Sequence, residues 1–555
     1  MKNKTAMPSS AAISQPLLLW RGLGLWNLYF IAKFGLYWTG FINFHVFYNL
    51  VFAAGLLLPL RPLWLHRLRH LAAIPVGVAL LYYDSWLPPF RRLLEQPEVL
   101  QFSNDYLLEL LSRFINWEMV GAGLVLLVAY LFLAQWFRMT LFTVLALIWV
   151  SLANVQIPGM PSLHWGHETP VVAVSTAASA VEGTAVSVPV QDKSINEILD
   201  EELANFYQTE QARQVQFSPA AAAEATPFDL LFLNICSLSW SDLEVTQLLE
   251  HPLFKKMDMV FDDFNSATSY SGPAVSRLMQ ANCGQLSHAA LYEESPKQCS
   301  LFSNLKELGF DTRAALNHDG KFQGFIDEIL SEEAFSEALV PTELNPVLRG
   351  FDGAPIWDDY DTLNLWLNQQ KQSQSAKPSA LLYNTITLHD GNREATEGGG
   401  GRTSPYQKRA QKLLDELDSF MNQLERSGRQ VAVLFIPEHG AALKGDRMQI
   451  SGMREIPTPD ITHVPVGVRL IGAKAAAPES PVHVTKPTSF LAVAELVSQL
   501  INTNAFEQPV LNWEGLAADL AQTRLVSENE GTVMMEYKGE PYVRLNGKNW
   551  IKYQP

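Results

Sequence analysis

Five apolar runs occupy the first 155 residues of the chain. They cover residues 22–38, 44–60, 71–87, 119–137 and 139–155. A membrane-spanning helix needs roughly 20 mostly apolar residues, and each run approaches that length. The third run is the weakest, because it is short and because Tyr82, Tyr83 and Asp84 interrupt its end. The pattern predicts a membrane α-helical bundle of about five spans.

Basic residues in the short loops predict the orientation of this bundle. They precede the first run and lie between the second and third and between the fourth and fifth runs: Lys2, Lys4, Arg21, Arg61, Arg67, Arg69 and Arg138. Cytoplasmic loops carry the excess of Lys and Arg, so these alternate loops place the N-terminus in the cytoplasm. Five crossings then put everything after Val155 outside, whereas an even number of crossings would reverse this.

The loop before the fourth run contains a further helical pattern. Residues 106–115 carry apolar side chains at helical spacing. One interpretation is a connecting helix that packs on the bundle. The other is a helix that lies in the membrane interface and helps to guide a lipid substrate.

A second kind of pattern begins at Phe228, where apolar strands alternate with helices. Residues 230–235 and 431–436 are nearly continuous apolar runs, as in parallel strands that are buried on both faces. Further strands are predicted over 257–261 and 380–388, and helices over 241–251, 273–281 and 407–427, the last of which ends at Gly428. This alternation predicts an α/β sandwich with a mostly parallel sheet.

The same patterns divide the chain into four parts. Residues 171–190 are almost all Ala, Val, Ser, Thr and Pro, a composition that predicts a spacer rather than a core. We therefore predict a transmembrane helical domain over 1–155, a linker over 156–227 and a catalytic domain over 228–510. Hairpin patterns with turn residues predict a β-hairpin extension over 511–555.

The charge is distributed as this division requires. The formal net charge is −16, of which the first 155 residues contribute +5 and the remainder −21. A strongly acidic domain is a poor match for a phosphate backbone, so the composition argues against nucleic-acid binding. An apolar, slightly basic first part joined to an acidic second part is typical of a membrane anchor that carries a water-exposed domain.

Chemistry in a parallel sheet is found where strands end, and Cys236 directly follows the strand over 230–235. In an oxidising compartment Cys283 and Cys299 are the natural disulfide pair, since they lie 16 residues apart in one loop-rich stretch. That pairing leaves Cys236 alone. A lone cysteine is usually a small buried apolar residue, but next to Ser237 and Ser239 at a strand end a metal-binding thiolate is favoured.

The sequence Thr268-Ser-Tyr-Ser-Gly-Pro273 offers a nucleophile. Pro273 suits the first position of a helix, so Ser271 is interpreted structurally as part of the N-terminal cap. The same helix start also aims backbone N–H groups at an anion. Ser271 could then attack a phosphate, provided that its hydroxyl is activated.

A carboxylate and an imidazole follow the strand over 431–436, in Pro437-Glu438-His439-Gly440. Alone, a Glu-His pair is more often a surface loop than a ligand pair. Combined with Cys236 and Ser271 it gives a thiolate, an alkoxide, a carboxylate and an imidazole, and zinc accepts S, N and O ligands at four positions. The four residues together predict a zinc site.

These residues carry a resemblance to a known family. A ligand at a strand end, a nucleophile 35 residues later and a late acid-His-Gly sequence resemble the alkaline phosphatase superfamily. Five preceding apolar runs resemble its membrane phosphoethanolamine transferases. The lipid A branch usually has a carboxylate at the first ligand and Asp-His-Gly at the last, whereas this chain has Cys236 and Glu438-His439-Gly440. Over essentially its whole length the chain is similar to the cellulose phosphoethanolamine transferases of bacterial cellulose synthesis.

The resemblance implies a fold and a metal site. The fold would be an alkaline-phosphatase-like sandwich with a mostly parallel central sheet. Ser271 would be the nucleophile and would hold zinc together with Cys236, Glu438 and His439, with Tyr270 flanking the nucleophile. Members of the superfamily can bind a second zinc ion, but the rest of a second ligand set is not evident here, so one ion is predicted.

The resemblance also implies residues on the substrate side. His389, which follows the strand over 380–388, would be a substrate-side histidine and a plausible general acid or base. Arg454 would bind a phosphate oxygen or the acceptor. His463 could belong to the site or serve as a structural residue at the start of a strand, and the sequence leaves these alternatives open.

The implied reaction moves phosphoethanolamine from phosphatidylethanolamine, through a covalent adduct on serine, to the glucose 6-hydroxyls of cellulose. The implied partners are the bacterial inner membrane and the cellulose synthase complex, and the catalytic domain would lie in the periplasm. Two alternatives remain open at this point. The acceptor could be lipid A or another glycan, or the protein could be a scaffold subunit of the cellulose synthase complex.

Overall fold

Two compact units make up the chain. One comprises Met1–Pro88 and Ile115–Pro170, and the other comprises Pro89–Phe114 and Val171–Pro555. The computed structural model describes residues 22–60, 63–87, 104–113, 117–153, 193–331, 333–372, 377–396 and 401–555. The spacer predicted over 171–190 lies outside the described residues.

The first unit is helical. Its helices are α1 (Trp26–Trp38), α2 (Val46–Leu57), α3 (Leu63–Asp84), α5 (Trp117–Leu133) and α6 (Met139–Ala153), while α4 (Asn104–Arg113) belongs to the second unit. A helix therefore forms at each of the five apolar runs. Helix α3 begins eight residues before the predicted run, because Leu and Arg favour helix even where the basic residues lower hydropathy.

No single helix in the described parts of the chain is both long enough and apolar enough to cross a membrane by itself. One bent pair of neighbouring helices, Tyr106–Arg113 with Trp117–Leu133, passes the same length and composition test when the two are taken together. The prediction of five spans is therefore not confirmed by the helices as the structure has them.

Aromatic side chains from α1 and α2 form the core of the first unit, among them Phe30, Phe34 and Phe52. Asp84, which interrupts the third apolar run, is fully buried. It pairs with the Lys33 ammonium group and accepts a hydrogen bond from the Asn49 amide at 2.8 Å. A buried charge is tolerated when it is paired and hydrogen-bonded.

An eight-stranded sheet forms the centre of the second unit. Its strands are β1 (Asp229–Ile235), β2 (Met259–Phe261), β3 (Asp311–Leu316), β4 (Ala338–Leu339), β7 (Ser379–Thr385), β9 (Val431–Pro437), β10 (Val466–Ile471) and β11 (Val482–Val484). The order is β11-β2-β10-β9-β1-β7-β3-β4. Only β10 runs against its neighbours, so the described sheet is mostly parallel, as predicted. The short strands β5 (Leu348–Arg349), β6 (Pro355–Ile356) and β8 (Arg393–Glu394) pair separately.

Helices cover both faces of this sheet. The helices of the second unit that follow α4 are, in chain order, α7 (Ile195–Gln211), α8 (Pro219–Glu224), α9 (Trp240–Val245), α10 (Pro252–Lys255), α11 (Ser271–Met279), α12 (Leu301–Glu307), α13 (Phe325–Ser331), α14 (Asp359–Gln372), α15 (Tyr406–Ser427), α16 (Pro459–Thr462), α17 (Phe490–Asn502) and α18 (Trp513–Ala518). Short 3-10 turns lie at Ala289–Tyr292, Lys297–Cys299 and Phe322–Gly324.

Strand β1 shows why the central strands are largely apolar. All seven of its residues are buried. Leu230 and Phe232 join the core formed with α11, α12 and α17. Leu231 and Leu233 join the core formed with α14 and α15 on the other face. Alternate side chains of a strand point to opposite faces, so a strand covered on both sides has no polar face.

The helix predicted over 241–251 is shorter than expected. Helix α9 ends at Val245, because Gln247 takes a left-handed conformation (φ 60°) and the Leu248 N–H bonds back to the Leu243 carbonyl. This hydrogen-bond pattern is the Schellman motif that terminates many helices.

The C-terminal residues form a separate antiparallel sheet of four strands: β12 (Val526–Asn529), β13 (Thr532–Tyr537), β14 (Glu540–Leu545) and β15 (Trp550–Lys552). Leu199, Leu203 and Phe206 of α7 pack against this sheet. Helix α7, which falls within the predicted linker, is thus part of the folded second unit.

Candidate metal centre and nucleophile

Three of the predicted ligands follow directly after two neighbouring strands. Cys236 is the first residue after β1, and Glu438 and His439 are the first two after β9. The strands are parallel neighbours in which Ile235 is opposite Pro437. Because their carboxyl ends coincide, the three side chains meet at one edge of the sheet.

The ligand atoms lie within coordination reach of one another. Candidate ligand atoms of Cys236, Glu438 and His439 all fall within 4.8 Å of one another, and all three residues are buried. The Ser271 hydroxyl oxygen completes the group, at 3.3 Å from Cys236 Sγ and 3.3 Å from His439 Nε2. These four residues are called the Cys236 group below.

Ser271 is not the residue that caps helix α11. Helix α11 begins at Ser271 itself, two residues before Pro273, and its N-cap residue Tyr270 makes no capping hydrogen bond through its side chain. Proline is tolerated here because the first-turn N–H groups have no partner within the helix. The Ser271 hydroxyl contacts Cys236 and His439. It lies at the N-terminal end of the helix, where the backbone dipole favours an anion.

The buried polar atoms of the group fit a metal ion. Glu438 Oε2 is buried and has no hydrogen-bond partner among the described residues. Burial raises the pKa of Glu438 to about 7 and that of the Cys236 thiol to about 12. Burial, and then the Arg454 charge, hold the pKa of His439 well below its usual range. Buried sulfur, nitrogen and oxygen donors of this kind are the set that zinc accepts.

Arg454 lies beside this group, as the resemblance implied for a residue that contacts phosphate. Its Nη1 atom lies 3.0 and 3.2 Å from the two ring nitrogens of His439 and donates to the Ser237 hydroxyl at 3.3 Å. The guanidinium also covers the Tyr270 ring, 5.8 Å from its centroid. A fixed cation beside the nucleophile can offset the charge of a phosphoryl group.

His389 follows β7 and is held from three sides. Its Nδ1 atom lies 2.8 Å from the Asp390 carbonyl oxygen, its ring packs on Phe351 with centroids 4.9 Å apart, and its own carbonyl accepts a hydrogen bond from Arg409. Burial, and then the Arg454 charge, lower the pKa of His389 to about 4. The Nδ1 contact leaves Nε2 as the nitrogen available to a substrate.

His463 is engaged elsewhere. Its Nε2 lies 3.5 Å from Asp263 Oδ1, and its backbone forms a β-bridge with Asn265. No hydrogen bond or ion pair joins His463 to the Cys236 group in the described part of the chain. A role for His463 in binding substrate stays a prediction.

Asparagines that the sequence analysis missed support the group. The Asn384 amide donates to Glu438 Oε1 at 2.6 Å and to Asn234 Oδ1 at 2.7 Å. The Asn529 amide donates to the Ser269 hydroxyl at 2.6 Å and to the Arg454 carbonyl at 3.1 Å. The only local signal was a polar side chain inside an otherwise apolar strand, as at Asn234.

The cysteines are distributed as the sequence predicted. Cys283 and Cys299 form a disulfide, and Cys236 is free and buried. The Cys236 thiol is therefore available as a metal ligand.

Comparison with known proteins gives the family. The "Cellulose biosynthesis protein BcsG C-terminal domain" matches residues 184–550, and the corresponding N-terminal domain matches residues 26–152. "Cellulose biosynthesis protein BcsG" of Escherichia coli (strain K12) is 46% identical over 99% of this chain and 98% of its own length. The chain belongs to the BcsG family. The BcsG protein of Salmonella typhimurium (strain LT2) is 45% identical over 96% of this chain and 97% of its own length.

Solved structures outside the BcsG family are more distant. An alkaline phosphatase superfamily protein from Vibrio parahaemolyticus has a TM-score of 0.46 and 13% identity, and the similarity covers 63% of this chain and 87% of that protein. Lipooligosaccharide phosphoethanolamine transferase A from Neisseria meningitidis has a TM-score of 0.37 and 13% identity. The similarity covers 59% of this chain and 65% of that protein. The zinc complex of the periplasmic domain of EptC from Escherichia coli has a TM-score of 0.37 and 11% identity. The similarity covers 57% of this chain and 93% of that protein. With TM-scores below 0.5, these similarities add nothing to the family membership, which rests on the sequence matches.

Proposed function

We propose that this protein transfers phosphoethanolamine from phosphatidylethanolamine to the glucose 6-hydroxyls of cellulose, with Ser271 as the nucleophile and zinc as the cofactor. The observation that carries the proposal is the Ser271 hydroxyl, which lies 3.3 Å from both Cys236 Sγ and His439 Nε2 at the start of α11. Membership of the BcsG family supports a role in cellulose biosynthesis.

Cys236, Glu438 and His439, together with Ser271, would hold the zinc ion. When bound, zinc would lower the pKa of the serine hydroxyl and offset negative charge on the phosphoryl oxygens. The fit rests on the unpartnered Glu438 Oε2 and on the buried thiol and imidazole beside it.

Two displacements at phosphorus account for the reaction. In the first, Ser271 Oγ attacks the phosphodiester, a bond forms between Oγ and phosphorus, and the bond to the glycerol oxygen breaks. Diacylglycerol leaves with the proton that the serine hydroxyl has lost. In the second, a sugar hydroxyl attacks the same phosphorus, the bond to Oγ breaks, and the proton of the sugar hydroxyl returns to serine or solvent.

The surrounding residues have separate tasks in these steps. His389 would accept or donate the proton of the sugar hydroxyl through Nε2. Arg454 would hold a phosphoryl oxygen, and the aromatic ring of Tyr270 would flank the nucleophile and keep the Arg454 guanidinium in place. His463 remains a proposed contact for the acceptor.

We also propose that the chain is anchored in the bacterial inner membrane, with the second unit in the periplasm and in contact with the cellulose synthase complex. Five apolar helices in the first 155 residues and the alternating basic loops support the anchor and its orientation. A disulfide in the second unit suits an oxidising compartment.

Replacement of the nucleophile tests the reaction. We expect Ser271→Ala to keep the fold and membrane insertion and to abolish transfer, because it removes the oxygen that would carry the phosphoethanolamine. Full-length protein would be incubated with labelled phosphatidylethanolamine, and the peptide that contains Ser271 would be searched for a phosphoethanolamine adduct by mass spectrometry.

The control for this experiment is Ser331→Ala, which removes an exposed hydroxyl that donates to the Glu328 carbonyl of its own helix. This variant should form the adduct as the wild type does. An adduct on another residue, or near-normal cellulose modification by folded Ser271→Ala, would refute the assignment. Wild-type activity that survives complete metal removal would refute the zinc cofactor.

A further inference from the structure

Helix α4 contacts the loop that carries His389, although α4 lies between the third and fourth apolar runs of the sequence. Both Arg113 guanidinium nitrogens donate to the Asp390 carboxylate, at 2.7 and 2.9 Å. The Tyr106 hydroxyl donates to the same carboxylate at 3.1 Å. A bidentate arginine–carboxylate pair fixes geometry as well as charge.

Two glycines that face α4 leave room for these side chains. A Cβ atom at Gly391 would lie 2.6 Å from the Tyr106 ring, and one at Gly452 would lie 2.9 Å from Arg113 Nη1. Real Cβ atoms do not approach other atoms so closely, so a larger residue at either position would have to shift the α4 side chain that it meets. Close packing of Tyr106 and Arg113 therefore depends on glycine at both positions.

A third side chain of α4 extends the contact. The Glu109 carboxylate accepts a hydrogen bond from Arg113 at 2.8 Å and another from the Thr403 hydroxyl at 3.1 Å. It also lies 3.5 Å from the Arg393 guanidinium. Helix α4 thus binds both ends of the segment that follows His389.

The same contacts reach the His389 ring. Tyr106 packs on Phe351 with ring centroids 5.8 Å apart, and Phe351 packs on His389 at 4.9 Å. His389 Nδ1 bonds to the backbone carbonyl of Asp390, whose side chain Arg113 holds. The position of the imidazole is therefore determined by two residues that α4 contacts directly.

We propose that α4 is part of the catalytic site and that Arg113 and Tyr106 are positioning residues for His389. This inference rests on the proposed function, in which His389 moves a proton. A catalytic group that is displaced by as little as 1 Å can lose roughly a hundredfold in rate, so an external brace on His389 has a direct kinetic consequence.

The test uses the full-length protein in detergent micelles, with p-nitrophenyl phosphoethanolamine as the probe. We expect Arg113→Ala to lower kcat roughly tenfold or more while KM and the melting temperature stay close to wild type. Arg113→Lys should recover part of the rate. The double variant Arg113→Asp with Asp390→Arg should recover more than either single replacement, because the ion pair is restored in reverse.

The matched control is Arg524→Ala, which breaks another partly exposed arginine–carboxylate pair of the same unit, that with Glu202 at 2.9 Å. It should leave kcat unchanged. Wild-type kinetics for Arg113→Ala, or a loss that only parallels a lower melting temperature, would overturn the positioning role.

A parallel measurement of the Ser271 adduct separates this inference from the proposed function. If wild-type protein forms the adduct and Arg113→Ala turns over normally, the positioning role alone is wrong. If wild-type protein forms no adduct on Ser271, the proposed function fails and the inference fails with it.

Discussion

Cys236 is the residue that most distinguishes this site from one built of oxygen and nitrogen ligands. Its sulfur lies 3.3 Å from the Ser271 hydroxyl and 3.9 Å from His439 Nε2, and its side chain is fully buried. A thiolate binds zinc more strongly than a hydroxyl does, so the identity of this one residue should control metal occupancy.

We expect Cys236→Ser to lower zinc occupancy and to lose only part of the transfer activity when zinc is supplied in excess. The serine hydroxyl can still reach the ion but is a weaker ligand. Metal content would be measured by mass spectrometry, and activity would be titrated against zinc. Cys236→Ala is the control, because it has no ligand atom at this position, and its activity should not recover when zinc is added. Full zinc occupancy in Cys236→Ala would show that Cys236 does not bind the metal.

The buried carboxyl of Glu438 should make zinc affinity depend on pH. Its pKa is raised to about 7, whereas that of Cys236 is raised to about 12. Below pH 7 zinc must therefore displace a proton from both groups, and above pH 7 only from the thiol. The pKa of His439 is lowered, so its ring is already neutral and releases no proton.

The logarithm of the zinc association constant should accordingly rise by about one more per pH unit below about pH 6.5 than above about pH 7.5. Competition with a chromophoric chelator would measure both slopes. Glu438→Gln should lose the steeper part and keep a single slope throughout. Equal slopes in the wild-type protein would contradict the raised pKa of Glu438.

At the level of elements, strand β7 supports the metal ligands although it supplies none of them. Asn384 lies opposite Asn234 of β1 in the parallel register and donates a hydrogen bond to its side chain. The same amide donates to Glu438, which follows β9 on the other side of β1. The Asn384 side-chain oxygen lies 2.9 Å from His318 Nε2. This chain of hydrogen bonds orients the Glu438 carboxylate across three strands.

We expect Asn384→Leu to weaken zinc binding by roughly 10- to 100-fold, the usual effect of removing a group that orients a metal ligand. Leucine is close to asparagine in size but cannot donate to Glu438. Calorimetric zinc titration would measure the change. The control is Asn502→Leu at the exposed end of α17, whose amide donates to Ser498, and equal zinc affinity in the two variants would refute the orienting role.

At the scale of the whole molecule, the proposed catalytic residues and α4 are widely separated in sequence. All proposed ligands lie at or beyond Cys236, whereas α4 covers Asn104–Arg113. A chain that begins near residue 160 therefore keeps the Cys236 group and loses the contacts of Arg113 with Asp390.

We expect such a truncated chain to form the Ser271 adduct and to hydrolyse a small phosphoethanolamine ester, but more slowly than the full-length protein. Its kcat should be no higher than that of full-length Arg113→Ala, since the truncated chain lacks Tyr106 as well as Arg113. Steady-state kinetics of the three proteins would test this. A truncated chain as fast as the full-length protein would show that α4 is dispensable.

The sequence by itself determined the residue types of the candidate site and most of the elements that carry them. Apolar runs of strand length between helical patterns predict buried parallel strands, and parallel strands bring their carboxyl ends to one edge. Cys236 and Glu438-His439 could therefore be placed together from local pattern alone. The same reasoning located α15 to within one residue of its observed start.

Only the tertiary structure decided which other side chains reach that edge. Arg113 and Asp390 are 277 positions apart, and Asn529 and Ser269 are 260 apart, so no local periodicity records either contact. For the same reason the local pattern around Ser271, taken without the resemblance, did not decide its role. A serine at a helix start has the same local signature as a cap and as a nucleophile, and only the positions of Cys236 and His439 in space determine where its hydroxyl points.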